Sequence, residues 1–214
     1  MDERPIREAA AAICVREGPS GAPEMLAVRR SDESRFLPGY ISFPGGALEP
    51  EDEDRAGRWF GDATERHRAA ALREAIEEVG IAITGSGVVA SSATDALDRD
   101  PPAAAAMHEI CRWVAPPVVP VRFDARYFAI AVEGDVEPVV DDREIADAWW
   151  TTAGELLAAW NAGEHKLYWP TWFTVGQLAT CATQADVFAL RFQTREPTED
   201  EQKTMPRHVM EQVP

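Results

Sequence analysis

A nine-residue segment near the middle of the chain constrains the fold more than any other part of the sequence. Residues 73–81 read REAIEEVGI. At about 100° per helical residue, the apolar side chains fall on one side of a helix, at Leu72, Ile76 and Val79. The carboxylates fall on the opposite side, at Glu74, Glu77 and Glu78. The segment therefore predicts an amphipathic helix that ends at Gly80, a typical residue just past a helix C-terminus.

The three glutamates of this helix are spaced i, i+3 and i+4, so their like charges destabilise the helix unless something neutralises them. A hard divalent cation with oxygen ligands is one such neutraliser. The alternative is a solvated acidic face without function. The upstream run Phe43-Pro44-Gly45-Gly46 bears on this choice, because glycine lets backbone approach a ligand or metal closely. A plain turn is the alternative for the glycines taken alone, but the two features together favour a metal site.

Alternating strand and helix patterns predict a mixed α/β domain with helices packed on a sheet. Predicted strands lie at residues 9–16, 24–30, 40–43, 126–132 and 146–150. Predicted helices lie at residues 62–80, 152–160 and 171–181, with one or two short ones between 88 and 114. The first begins at an expected capping box formed by Asp62 and Glu65. Residues 1–193 are expected to form a single domain and residues 194–214 a polar, extended tail.

The charge balance bears on binding partners. Lys and Arg number 21 against 37 Asp and Glu, a formal net charge of −16. Such a field repels nucleic acid and anionic membranes, so neither is expected as a partner. The three cysteines show no CxxC spacing, and no leader pattern or long apolar run occurs. A cytoplasmic location is expected.

The segment at residues 73–81 resembles the signature of the Nudix hydrolase family, GX5EX7REUXEEXGU, with U a bulky apolar residue. The second half of the signature matches at every defined position. The first half departs, because counting from Gly46 puts the arginine at position 60, whereas it stands at 73, 13 residues later. The resemblance implies a Nudix-type α/β/α sandwich with a mixed sheet. It also implies a loop–helix–loop over residues 46–81, with an insertion at about 53–64.

Two acids compete for the place of the signature's first glutamate, which in the family pairs with the arginine, here Arg73. Asp52 has the right distance from Gly46, and Glu65 has the right distance from Arg73. The resemblance implies that the metal ligands are the backbone carbonyl of Gly46 and three carboxylates, those of Glu74, Glu77 and Glu78. The expected ion is Mg²⁺, with Mn²⁺ as an alternative.

Residues before the signature resemble the additional motif of the coenzyme A diphosphatase branch, LLTxRSxxLRxxxGxVxFPGG. The shared positions are Arg30, Ser31, Arg35, Gly39, Ile41 and residues 43–46, whereas Val28 and Ser34 depart from it. The lengthened box, with residues 122–128, 149–150 and 168–172, resembles the long-box subgroup related to the peroxisomal coenzyme A diphosphatase.

The implied reaction is Mg²⁺-dependent hydrolysis of the diphosphate bond in coenzyme A or acyl-CoA, giving 3′,5′-ADP and a 4′-phosphopantetheine moiety. Glu77, Glu78 and Arg73 are the expected catalytic residues, together with Glu144 as a candidate general base from a later loop. Arg30 and Arg35 are expected to bind phosphate, since arginine forks bind it in bidentate fashion. For Arg30, Arg35 and Glu144, plain surface charge is the alternative. Other readings are a diphosphatase for ADP-ribose or NADH, and a non-catalytic nucleotide-binding module. A homodimer is left open.

Overall fold

The computed structural model describes residues 5–34, 36–115, 122–134, 136–140, 144–195 and 198–204. The strands are β1 (Ile6–Glu17), β2 (Pro23–Arg30), β3 (Tyr40–Ser42), β4 (Gly45–Ala47), β5 (Ile81–Thr84), β6 (Gly87–Ala90), β7 (His108–Val114), β8 (Arg122–Ala131), β9 (Ile145–Thr152), β10 (Lys166–Leu167) and β11 (Phe192–Gln193). The α-helices are α1 (Glu51–Phe60), α2 (Arg66–Val79), α3 (Asp95–Arg99), α4 (Ala153–Ala162), α5 (Trp169–Leu178), α6 (Gln184–Ala189) and α7 (Glu199–Thr204).

One mixed sheet organises the chain. Its strand order is β10-β3-β2-β1-β8-β7-β11, with β4 paired to β1 and β9 paired to β2. The central pair, β1 and β8, is parallel over a register from Ile6↔Arg122 to Val15↔Ala131. β1 pairs antiparallel with β2 near its C-terminal end and with β4 nearer its N-terminal end. A separate two-stranded sheet joins β5 to β6.

Period-two alternation along β1 divides the core between the two faces of the sheet. Ala10, Ala12 and Cys14 pack in one cluster with the buried side of α2 and with Ala56 and Trp59 of α1. Ala9, Ala11, Ile13 and Val15 pack in the other cluster, with residues of α4, α5 and α6. A mixed sheet between two helical layers follows, as the resemblance to the family signature implied.

Helix α2 is the predicted helix that carries Glu74, Glu77 and Glu78, and the residues at its two ends determine where it begins and stops. It is preceded by a 3₁₀ turn at Ala63–Glu65, in which the Asp62 side chain accepts a hydrogen bond from the Thr64 backbone N–H. The expected reciprocal capping box with Glu65 is wrong, because Glu65 turns towards Arg68 instead. Gly80 ends the helix in the left-handed region at φ 66°, a conformation that costs glycine nothing.

The structure defines one segment that the sequence left open and corrects the sequence analysis in two further places. Residues 51–60, which overlap the expected insertion, form the regular helix α1, whose Ala56 and Trp59 are buried. The region between residues 88 and 114 holds strands β6 and β7 as well as the short helices. The terminal segment is not wholly extended, since residues 199–204 form α7. Within the described ranges, no helix combines the length and the apolar character needed to span a membrane.

Candidate active site

The C-terminal half of α2 lies against strand β4, and two contacts hold them together. The Gly45 backbone N–H donates to Glu78 Oε2 over 2.9 Å. The Glu74 carboxylate lies so close to Gly46 that a Cβ at this position would collide with it. A Cβ at Gly45 would stand 2.6 Å from the Ala10 carbonyl oxygen. The two glycines are therefore required for close approach: one to the carboxylate helix, the other to the neighbouring strand.

Arg73 is the centre of a buried ion network under this carboxylate face. Its side chain is 2% exposed and forms a bidentate pair with Asp52, at 3.0 Å from Nε and 3.1 Å from Nη2. Nη1 donates to Glu74 Oε1 and to Glu77 Oε2, both at 2.8 Å, and Nη2 donates to the Ala47 carbonyl at 3.0 Å. Arg73 thus ties the insertion, the glycine strand and two of the three carboxylates together.

The structure brings Asp52, rather than Glu65, to Arg73. Asp52 is fully buried and also accepts hydrogen bonds from the Glu49 backbone N–H and from Arg55 Nη1, both at 2.8 Å. Glu65 forms an ion pair with Arg68 at the other end of α2. Asp52 reaches Arg73 because α1 begins only a few residues after β4, which places the first turn of α1 beside α2.

Burial and mutual repulsion raise the pKa values of two carboxyl groups on α2, Glu74 and Glu78. Burial, opposed by the charge and hydrogen bond of Arg73, raises the pKa of Glu74 to about 7. Burial and the neighbouring charge of Glu74 raise the pKa of Glu78 to about 8, although the Gly45 hydrogen bond lowers it. Desolvation disfavours the ionised form of each group. A cation bound between them would restore ionisation, since an opposite charge has the reverse effect.

The donor set suits a hard divalent cation. Glu74 and Glu78 supply carboxylate oxygens beside the Gly46 backbone, and oxygen donors are what Mg²⁺ and Mn²⁺ take in proteins. No three His, Cys, Asp or Glu side chains in the described part of the chain already form a cage for such an ion. Arg73 binds one carboxylate oxygen of Glu74 and one of Glu77, and the second oxygen of each is not engaged by Arg73.

An open cleft of about 560 Å³ begins at these carboxylates and runs across the β1–β8 face of the sheet. Alanines of β1 and β8 form its floor, at Ala9, Ala11 and Ala125. Aromatic rings form its walls, including Phe36, Phe123, Trp113 and Tyr168. Phe36 meets Phe123 edge-on at 5.6 Å between ring centroids, and Trp113 meets Tyr168 at 5.8 Å. Small floor residues between rings leave a slot suited to a flat ligand.

A second groove, of about 780 Å³, opens on the other side of the same carboxylates. Glu74, Glu77, Glu78 and Glu144 line both spaces. The walls of the groove come from the segments that flank the end of α2, where Ser91 N–H donates to Gly80 O and Val139 N–H donates to Val79 O, both at 2.9 Å. The carboxylates therefore stand between two cavities, which suits a ligand with an arm on each side.

The remaining residues singled out in the sequence have different surroundings. Glu144 faces the carboxylates, and its charge contributes to the raised pKa values of Glu74 and Glu78. Arg30 lines the cleft while donating to Phe36 O at 2.9 Å and Ser34 Oγ at 2.8 Å, so it also anchors the cleft loop. Arg35 lies outside the described residues.

The sequence analysis overlooked the cleft's aromatic residues Phe36, Trp113 and Tyr40, and the arginine at its far end, Arg7. A signal for Arg7 was present in the sequence. Its position two and four residues before Ala9 and Ala11 puts it on the same face of a strand. The aromatic residues lie on separate elements, and nothing in their spacing links them.

A helix that presents glutamates to a glycine strand at the head of a cleft could hold a divalent cation beside a bound ligand. The chain belongs to the NUDIX domain family, whose family model matches residues 6–173. No curated protein matches the sequence significantly.

Solved structures agree with this assignment. A NUDIX hydrolase from Alicyclobacillus acidocaldarius is similar at 29% identity and a TM-score of 0.73, over 87% of this chain and 97% of that one. The NUDIX domain of Shewanella oneidensis NrtR, solved with ADP ribose, shares the fold at 13% identity and a TM-score of 0.51. That match covers 81% of this chain and 86% of the other. The NrtR domain shows the fold alone, whereas the family match and the Alicyclobacillus structure together support a hydrolase.

Proposed function

We propose that this Nudix hydrolase cleaves the diphosphate bond of coenzyme A or acyl-CoA in a Mg²⁺-dependent reaction. The products would be 3′,5′-ADP and (acyl-)4′-phosphopantetheine. The observation that carries the proposal is the position of Glu74, Glu77 and Glu78 between two cavities. A diphosphate centred there would direct one arm into the aromatic cleft and the other into the groove at the end of α2. Coenzyme A has this two-armed form, and residues 30–46, which lead into the glycine strand, resemble the additional motif of the coenzyme A diphosphatase branch.

The chain's own residues prepare the site for a diphosphate. Glu74, Glu77, Glu78 and the Gly46 carbonyl would hold the ion, while Arg73, fixed by Asp52, orients Glu74 and Glu77. A divalent cation held by these residues would activate a water and would neutralise charge on the diphosphate oxygens. Arg30 lines the cleft beside this centre and would orient a phosphate.

Hydrolysis also requires a group that accepts the proton of the attacking water. Glu144 borders both cavities and faces Glu74 and Glu78, so we assign it this role. The oxygen of water bonds to one phosphorus, and the bridging P–O bond breaks. The other phosphate then leaves with the bridging oxygen.

The test is a substrate panel with purified protein and Mg²⁺, with products separated by chromatography. The panel holds coenzyme A, acetyl-CoA, ADP-ribose, NADH and a nucleoside triphosphate. We expect coenzyme A or its thioester to have the highest kcat/KM and to yield 3′,5′-ADP. Preferred cleavage of ADP-ribose or NADH would replace the substrate while keeping the enzyme class. Binding of nucleotide without turnover of any member would support a non-catalytic module instead.

The site assignment is tested with Glu78→Gln and a matched control, Glu164→Gln. Glu164 is an exposed residue after α4, so its substitution changes the net charge equally but far from the cleft. We expect Glu78→Gln to lower kcat by at least about 100-fold, because ion-mediated stabilisation of the transition state is worth several kcal/mol. Equal activity of the two variants would contradict the assignment.

A further inference from the structure

Arg7 differs from the other arginines in the described part of the chain. Each of the others has a hydrogen bond, an ion pair or a ring contact. Arg7 has no such contact within the described ranges, although it lines the cleft. The protein has a net charge of −16, so carboxylates outnumber arginines and lysines. An arginine that forms no ion pair with a described carboxylate is available to bind an anionic ligand.

The strand register shows where the Arg7 side chain stands. Arg7 shares a face of β1 with Ala9 and Ala11, which form the cleft floor, because side chains on a strand alternate. Its partner across the parallel pair is Phe123 of β8. Phe123 packs edge-on against Phe36, so Arg7 lies beside the aromatic corner of the cleft.

Arg7 is also close to the carboxylate centre on the scale of one nucleotide. Ala10 pairs with Gly46, which lies against Glu74. Arg7 is three residues before Ala10, or about 10 Å along the strand at roughly 3.3 Å per residue. A long, flexible arginine side chain can reach back across part of this distance, so one ribose could bridge the two centres.

The cleft contains negative charge, so a second phosphate of a ligand would need a positively charged side chain that is not already paired. Glu49 lines the same cleft, and its carboxylate lies 3.4 Å from Arg55 and 3.7 Å from Arg73. Of the other two arginines that line the cleft, Arg73 is bound to its carboxylates, and Arg30, which the Ser34 loop holds, is assigned to the diphosphate. A phosphate at the far end of the cleft therefore has Arg7 as its unengaged partner among the described residues.

We propose that Arg7 and the Phe36–Phe123 corner form a subsite for a nucleoside that carries a second phosphate as a monoester on its ribose. The aromatic corner contacts the base, and the Arg7 fork binds the monoester. This inference rests on the proposed function, because a diphosphate must lie at Glu74 and Glu78 to bring the ribose to Arg7. It assigns to Arg7 the discrimination between phosphorylated and unphosphorylated ribose.

The experiment compares coenzyme A with dephospho-coenzyme A, which lacks only the ribose phosphate. Steady-state constants are measured for the wild-type protein and for Arg7→Gln, Arg7→Lys and the control Arg29→Gln. Arg29 carries the same charge on β2, lies near Asp147 and does not line the cleft. We expect the wild-type protein to prefer coenzyme A and Arg7→Gln to reduce that preference about tenfold, mainly through the KM for coenzyme A.

Each outcome separates the inference from the function on which it rests. Arg7→Lys should retain part of the preference, since it keeps the charge but loses the fork, and Arg29→Gln should retain all of it. A preference that is absent from the wild-type protein, or unchanged in Arg7→Gln, overturns the inference and leaves the diphosphatase function intact. Failure of the wild-type protein to cleave either compound refutes the coenzyme A function itself, before any variant is measured.

Discussion

Replacing Asp52 by Asn should destabilise the protein far more than replacing Glu65 by Gln. Both substitutions are nearly isosteric and each removes one negative charge. Asp52 is fully buried and binds Arg73 with both carboxylate oxygens. An asparagine would offer one oxygen and turn an NH₂ group towards a guanidinium, which has only donors. Glu65 contacts Arg68, and their side chains are 28% and 22% exposed.

The magnitude follows from what Arg73 keeps after the substitution. Breaking a buried pair by removing one partner costs about 3–5 kcal/mol. Glu74 and Glu77 still neutralise Arg73, so we expect the lower end of that range for Asp52→Asn, about 3 kcal/mol. For a chain of this size that lowers the melting temperature by roughly 6–12 °C. Glu65→Gln removes a partly exposed pair worth about 0–1 kcal/mol, or roughly 4 °C at most.

The measurement is urea unfolding followed by tryptophan fluorescence, with thermal melts in parallel. Asp52→Asn should shift the urea midpoint without changing the slope of the transition, which reports the surface exposed on unfolding. A larger loss in Glu65→Gln than in Asp52→Asn would show that the support of Arg73 has been assigned to the wrong acid. Equal stability of Asp52→Asn and wild type would refute the reasoning about the buried pair altogether.

Three further predictions concern the site and its surroundings. Gly46→Ala should abolish most activity, because the new methyl group would collide with the Glu74 carboxylate. The control Gly57→Ala places its methyl group in open space on α1. It should raise the melting temperature by roughly 1–4 °C, because alanine favours a helix over glycine. Glu78→Gln should melt higher than wild type at pH 9 in EDTA while being inactive. Burial raises the pKa of Glu78 from its ordinary value of 4.5 to about 8, so the folded protein loses stability as the pH rises from 4.5 to about 8. At pH 9 this loss is complete, and the glutamine removes it. Burial lowers the pKa of His67 below its ordinary value of 6.5. The contribution of His67 to stability is therefore present above pH 6.5 and is lost as the pH falls through the lowered pKa. Thermal melts between pH 7.5 and 5 should show a smaller decline in stability for His67→Gln.

Results opposite to these expectations are equally specific. An active Gly46→Ala enzyme would mean that the glutamate helix withdraws from the glycine strand during catalysis. A Glu78→Gln variant that melts lower than wild type at pH 9 would show that the carboxylate is stabilised rather than strained in the folded protein. An unchanged acid slope in His67→Gln would assign the decline to other groups.

The site helix was predictable because its information is local. The apolar period of α2, the glutamate spacing and the final Gly80 all lie within one short window, and helical geometry alone converts them into a carboxylate face. The choice between Asp52 and Glu65 is different. It depends on how α1 packs, and the spacing along the chain favours each acid by one criterion.

Features that depend on contacts between distant segments could not be predicted from residue patterns, because such patterns report only local structure. Strand β7 follows an alanine-rich stretch that predicted only helices, and pairing with β8 fixes it as a strand. The cleft depends on Phe36, Trp113 and Tyr168, which are far apart in sequence and meet only when the sheet forms. The first predicted strand begins at residue 9, whereas β1 begins at Ile6. Arg7 therefore lies outside the predicted strand, and the prediction does not place it on the cleft face.

The helix α1 shows how a surplus segment becomes indispensable. Measured against the family signature, its residues are extra, yet Ala56 and Trp59 fill the interior beside α2, and Trp59 Nε1 donates to Asp98 Oδ1 over 2.7 Å. Trimming the chain back to the usual length would leave a void, and removing a buried tryptophan alone typically costs about 3–5 kcal/mol. The inserted segment is therefore part of the interior, and a variant shortened to the usual signature length would lose stability unless other side chains filled that space.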